Sequence, residues 1–173
     1  MAFFGMKNSS QEIAEMLLKL SELPALFEQL QVKKGRNPEM AQKILQIILA
    51  MSACNLVQTL KTDFLVSKLS PEKREAILRD YILQAFRSQT LVKFKNEAEL
   101  NEKRQLVMGI VSELQKPWNE NEDSHGSGPG PRYFCAKATL SMFGADPDFE
   151  LHDALFEHMY LKYKLYIDFL KTL

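Results

Sequence analysis

The run Ile44-Leu45-Gln46-Ile47-Ile48-Leu49-Ala50-Met51 decides how this chain folds. At about 100° of rotation per residue, the consecutive apolar side chains from Ile47 to Met51 point in every direction around a helix axis. A helix that is apolar all round must be enclosed by protein or by lipid. The segment from Met40 to Leu69 therefore predicts a central element with the other helices packed around it. One turn later, Ser52, Asn55 and Thr59 fall on one face at i, i+3, i+7 spacing. That polar face predicts that the second half of the hub is open, with Asn55 and Thr59 part of a contact surface.

The flanking punctuation is helical throughout. Ser9 and Glu12 have the spacing of a capping box. Pro24 predicts a break or kink in the first apolar segment, with Ser21 capping a second short helix to about Lys34, stopped by Gly35. Asn37-Pro38, Ser70-Pro71 and Asp146-Pro147 each place a capping side chain before proline at a first helical position, where its missing N–H costs nothing. Asn96 with Glu99 marks another start, and Pro117 is expected to end the helix that follows. Ile77, Leu78, Tyr81, Ile82 and Ala85 share one face; Leu100, Val107, Ile110, Val111 and Leu114 share another. Thr90 to Lys95 is the one strand-like alternation, too short and isolated to pair.

These signals predict an all-α protein, a single compact bundle or short α-solenoid of six to seven helices around a central buried helix. The organisation expected is a helical core over 1–116, a flexible loop or linker over 117–131, and a C-terminal helical pair over 132–173 packed on that core. The Gly, Pro, Ser and acidic residues between Pro117 and Pro131 carry the linker reading. After it, a short helix from Tyr133 to Phe143 precedes a long final one.

With 173 residues the chain can bury a core without disulfide or metal. Its 22 basic and 22 acidic residues cancel, and the short clusters Lys33-Lys34-Arg36, Lys93-Lys95 and Lys103-Arg104 each lie beside acids. No nucleic-acid grip is expected, because such a grip works by neutralising phosphates with an excess of Lys and Arg. No membrane span is expected either, since Gln46, Ser52 and Asn55 interrupt the longest apolar stretch. Cys54 and Cys135 lie in apolar helical segments and read as buried, reduced thiols. The N-terminal residues resemble neither a secretory nor a mitochondrial leader, so the expected location is cytoplasmic.

Candidate chemistry is sparse. His152 and His158 are six apart, on different faces of the last helix, and cannot chelate one ion as an i, i+4 pair does. Asp148 and His152 are four apart and could meet, which is the one enzymatic arrangement to weigh. His125 stands in the loop beside Asp123, where nothing pre-organises a metal. Gly126 to Pro131 has the glycine count of a phosphate loop, but no strand precedes it and its prolines remove N–H donors. No Gly-x-Ser-x-Gly motif is present. Catalytic residues, metal ligands and cofactor are therefore expected to be none.

The last helix offers more. Phe149, Phe156 and Tyr163 stand seven apart, joined by Tyr160, Tyr166 and Phe169. Leu155, Met159 and Leu170 share the face of Phe156 and Tyr163, whereas Tyr160, Leu161 and Leu165 fall off it, so the helix carries more apolar surface than one core face needs. The leading expectation is a non-enzymatic protein–protein interaction module, an adaptor or subunit, with Phe156, Tyr160, Tyr163, Tyr166, Asn55 and Thr59 as partner or ligand surface. The second expectation is a helical small-molecule or lipid carrier with a pocket lined by Phe156, Tyr163 and Tyr166.

Overall fold

The computed structural model describes residues 9–34, 38–88, 94–121, 130–142 and 149–173, with side chains excluded at 31–34, 38–40 and 149–150. Ser9 opens the first helix as its spacing predicts. The Glu12 N–H donates to Ser9 Oγ at 3.2 Å and the Ser9 N–H donates to the Glu12 carboxylate at 2.7 Å. This helix, α1 (Ser10–Ser21), ends at Glu22, whose φ of 52° is the left-handed conformation that closes helices. The break thus precedes Pro24, which sits in the first turn of α2 (Leu23–Lys34), where a missing N–H is harmless. Ser21 bridges the corner: its hydroxyl donates to Leu18 O at 2.6 Å and accepts the Leu23 N–H at 3.3 Å.

The hub is α3 (Pro38–Leu60), followed by the short α4 (Asp63–Lys68) and by α5 (Pro71–Ser88), whose first turn is capped by Ser70 Oγ accepting the Lys73 N–H at 3.3 Å. In α6 (Glu97–Glu120), Asn96 Oδ1 accepts the Glu99 N–H at 2.9 Å. Next come α7 (Gly130–Met142) and α8 (Phe149–Leu170), giving eight helices among the described residues. Asn37, Gly35, Gly144 and the Asp146-Pro147 start lie outside the described residues, as does most of the strand-like alternation; its Phe94 packs edge-on against Phe86.

Pro117 does not end α6. The helix runs another turn to Glu120 and carries Trp118 into the core at 4% exposure. Proline costs a helix one N–H bond and crowds the preceding turn, but burying an indole returns more apolar contact than that turn loses. The Asn121 side-chain amide then caps the end by donating to Pro117 O at 2.7 Å. Since α7 begins at Gly130, the interval between the helices is shorter than the expected 117–131 linker at both ends.

The arrangement is a bundle. In a solenoid each unit touches only its sequence neighbours; here α1 packs against both α5 and α8, and α3 is flanked by α2, α5, α6, α7 and α8. The segment Ala41–Leu60 is long and apolar enough to cross a membrane despite Gln46, Ser52 and Asn55, but 83% of its apolar window is buried inside the bundle, so among the described residues there is no clear span, as expected. Its apolarity serves that enclosure.

The polar face of α3 is also enclosed. Ser52, Asn55 and Thr59 are at most 1% exposed, which overturns the open second half expected of the hub. Each of these side chains makes at least one hydrogen bond there, although Asn55 Oδ1 is buried without a partner. Ser52 Oγ lies 2.6 Å from the Tyr81 hydroxyl and 3.1 Å from that of Tyr166, and the two tyrosine hydroxyls are 3.0 Å apart. Three hydroxyls in a triangle can each give one hydrogen and accept another. Burial raises both tyrosines above their usual ionisation range, so both keep the proton the triangle needs. Asn55 Nδ2 donates to Met159 O of α8 at 3.1 Å, and Thr59 Oγ1 donates to Asn55 O at 2.9 Å. The spacing exposed a polar stripe correctly, but a stripe cannot say whether water or hydroxyls from other helices face it.

The triangle makes a stability prediction. Ser52→Ala and Tyr81→Phe should each cost about 1 kcal/mol in urea unfolding, since Tyr166 keeps one partner in either variant. The double variant takes both triangle partners away, leaving Tyr166 only the nearby Ser21 hydroxyl, and should cost more than the sum, with a coupling of about 0.5 kcal/mol or more. Additive losses would show that the three hydroxyls act independently.

Candidate interaction surface on the last helix

Helical geometry sorts the side chains of α8 into three strips. Leu151, Leu155, Met159, Tyr166 and Leu170 face inward, all at most 5% exposed. His152, Phe156 and Tyr163 face α7 and are half-buried. Tyr160, Leu161 and Leu165 lie outward, at 64%, 53% and 41% exposure.

The strip facing α7 is built from aromatic edges. The Tyr133 ring meets the His152 ring at 4.7 Å and 75°, and the Phe156 ring at 6.4 Å and 77°. Phe156 in turn stacks on Tyr160 at 6.5 Å and 30°. Edge-to-face contact sets the positive ring edge against the negative ring face, so it fixes orientation as well as burying area. Arg132, in the first turn of α7, completes the cluster. Its guanidinium lies 4.2 Å from the centre of the Tyr163 ring and 5.3 Å from that of Trp118. Burial lowers its basicity from the usual arginine range, the neighbouring tyrosines opposing the shift, yet an arginine remains charged.

The structure thus gathers Phe156, Tyr160 and Tyr163 of the expected surface and separates the rest. Tyr166 is sealed in the hydroxyl triangle, Asn55 lies under α8 and Thr59 is fully buried, so none of these three can face a partner. A pocket lined jointly by Phe156, Tyr163 and Tyr166 is therefore not formed by the described residues. An open groove of about 500 Å³ instead runs between α1, the start of α2 and the end of α5, lined by Leu18, Lys19, Glu22, Pro24, Ala25 and Gln84 among others. Sequence reading passed over Trp118, Arg132 and Tyr133 because they border or fall in the Gly/Pro-rich interval read as a linker. Their density of ring and guanidinium groups was the signal available.

Of the Asp148 and His152 pair, only His152 is described. Asp148 lies outside the described residues, His152 Nδ1 is 3.1 Å from the exposed carboxylate of Asp153, and His152 Nε2 is buried with no partner. No three metal-binding side chains come together among the described residues. Cys54 and Cys135 are free and fully buried, and the Cys135 thiol donates to Leu114 O at 3.5 Å. A hydrogen bond with Cys54, then burial, raises Cys135 well above the usual thiol range, so it is not a ready nucleophile.

No protein family, curated protein or solved structure matches the chain.

The other flank of α8 is titratable. Lys162 donates to the Glu22 carboxylate at 2.5 Å, and His158 sits beside this pair with its Nε2 buried and unpartnered. Loss of water, then the Lys162 charge, lowers the His158 pKa from 6.5 to about 4, Glu22 partly opposing. The unfolded imidazole takes its proton near 6.5 and the folded one only near 4, so between those values the unfolded chain binds more protons. The His158 contribution to stability should be full above pH 6.5, fall as pH drops towards about 4, and be lost below. The full loss is up to about 3 kcal/mol. His158→Gln should flatten that slope in unfolding curves collected across the window; an unchanged slope would place the titration elsewhere.

Proposed function

We propose that this protein is a non-enzymatic helical interaction module, an adaptor or subunit that binds a protein partner through the outer side of α8 and its junction with α7. One observation carries the reading: Tyr160, Leu161 and Leu165 stand exposed on a helix whose inner strip is fully buried. Tyrosine and leucine side chains on a stiff, well-packed helix lose little freedom on binding, which favours contact surfaces of this composition. The aromatic edges between α7 and α8 hold Phe156 and Tyr160 in place, so this surface is ordered before any partner arrives. A reducing compartment such as the cytoplasm fits the two free buried thiols.

Site-specific photocrosslinking in cells tests this. A photoreactive residue at Tyr160 or Leu161 should give a discrete larger species that the same probe at Glu113, exposed on α6, does not. Identical patterns from α8 and α6 would defeat the proposal. In the same cells, Tyr160→Glu combined with Leu161→Glu should abolish the complex. Both side chains are more than half exposed, so the folded state should change by less than about 0.5 kcal/mol per substitution.

A further inference from the structure

Among the described residues, Arg132 is an arginine without an acid. Arg87 meets the Glu97 carboxylate at 3.0 Å and Arg79 meets Asp80 at 3.2 Å, but no carboxylate among the described residues pairs with Arg132. Its charge is held by rings instead, at 4.2 Å from Tyr163 and 5.3 Å from Trp118. Its Nε is enclosed and has no hydrogen-bond partner. Contact with ring faces supplies charge stabilisation but no acceptor, so the guanidinium's N–H donors are still to be satisfied. A guanidinium fixed in this way has already given up much of the rotamer freedom that binding would otherwise cost.

We propose that Arg132 is the carboxylate-recognition point of the α7–α8 surface and takes an aspartate or glutamate side chain of a protein partner. The inference rests on the interaction-module reading and names the partner's chemistry. The planar fork of one guanidinium matches the two oxygens of one carboxylate. Tyr160, which stacks on Phe156 and is 64% exposed, supplies an apolar contact beside it. Exposed Lys164, one turn beyond Tyr160 on α8, adds a second positive charge on the same side. The segment that fits is therefore acidic with a neighbouring apolar or aromatic side chain. In such a segment the carboxylate supplies specificity, and the apolar contact supplies buried area.

The experiment follows the Arg132 Nε–Hε resonance by NMR in the full chain, assigned by its loss in Arg132→Lys. The probe is a capped phenylalanyl-glutamate dipeptide, compared with its glutamine counterpart. The glutamate peptide should shift this resonance saturably, and the glutamine peptide should bind about ten-fold more weakly. Equal responses to the two peptides, or none up to the solubility limit, would overturn the assignment. A ten-fold preference for a phosphotyrosine dipeptide would replace it with a phosphate site. The combined variant Glu122→Gln and Asp123→Asn controls for the chain's own acids: if it moves the resonance in peptide-free protein, those acids occupy Arg132 and the proposal fails. Crosslinking at Tyr160 reads the wider surface separately, so a partner that crosslinks without a glutamate-selective Arg132 response would reject this inference alone.

Discussion

Everything in this fold answers to the enclosure of α3. Its apolar residues from Ile44 to Met51 are at most 2% exposed, and its polar residues one turn later are as deeply buried. An apolar segment accepts any apolar neighbour, but a buried hydroxyl does not. Ser52 must meet hydrogen-bonding partners, and it finds them in Tyr81 of α5 and Tyr166 of α8, which are 29 and 114 residues away along the chain. The triangle therefore fixes α5 and α8 against the hub and sets their rotation. Hydrophobic burial drives the collapse without direction; the hydroxyls add the direction.

That constraint propagates outward through α8. With Tyr166 drawn inside, and Met159 O accepting from Asn55, the rotation of α8 about its own axis is set. The residues flanking those anchors must then face α7 or solvent. Phe156 and Tyr163 meet Tyr133 and Arg132, while no helix among the described residues covers Tyr160, Leu161 and Leu165. The outer surface is thus a consequence of the inner polar contacts. A one-position rotation of α8 would bury Tyr160 and lose the triangle.

The chain is legible where a rule is local. Ser9 with Glu12, Ser70 before Pro71 and Asn96 with Glu99 cap the helices their spacing marks, and the buried face of α5 contains each of the five residues its periodicity selects. Pro117 misleads because the local cost of a proline is opposed by a distant gain, the burial of Trp118. The candidate surface was half visible: α8 announces surplus aromatic residues, but periodicity cannot separate Tyr160, exposed, from Tyr166, sealed. Arg132 was hidden, because its place between Trp118 and Tyr163 joins three helices.

Helix content, the central position of α3 and the apolar faces of α5 and α6 follow from the order of residues, since side-chain period, caps and prolines act within a few residues of themselves. The fate of each polar or aromatic group was settled only in three dimensions. Ser52, Asn55 and Thr59 make the same stripe whether water or tyrosine hydroxyls lie opposite. Burial of a polar group depends on what packs against it, and those neighbours come from helices far along the chain.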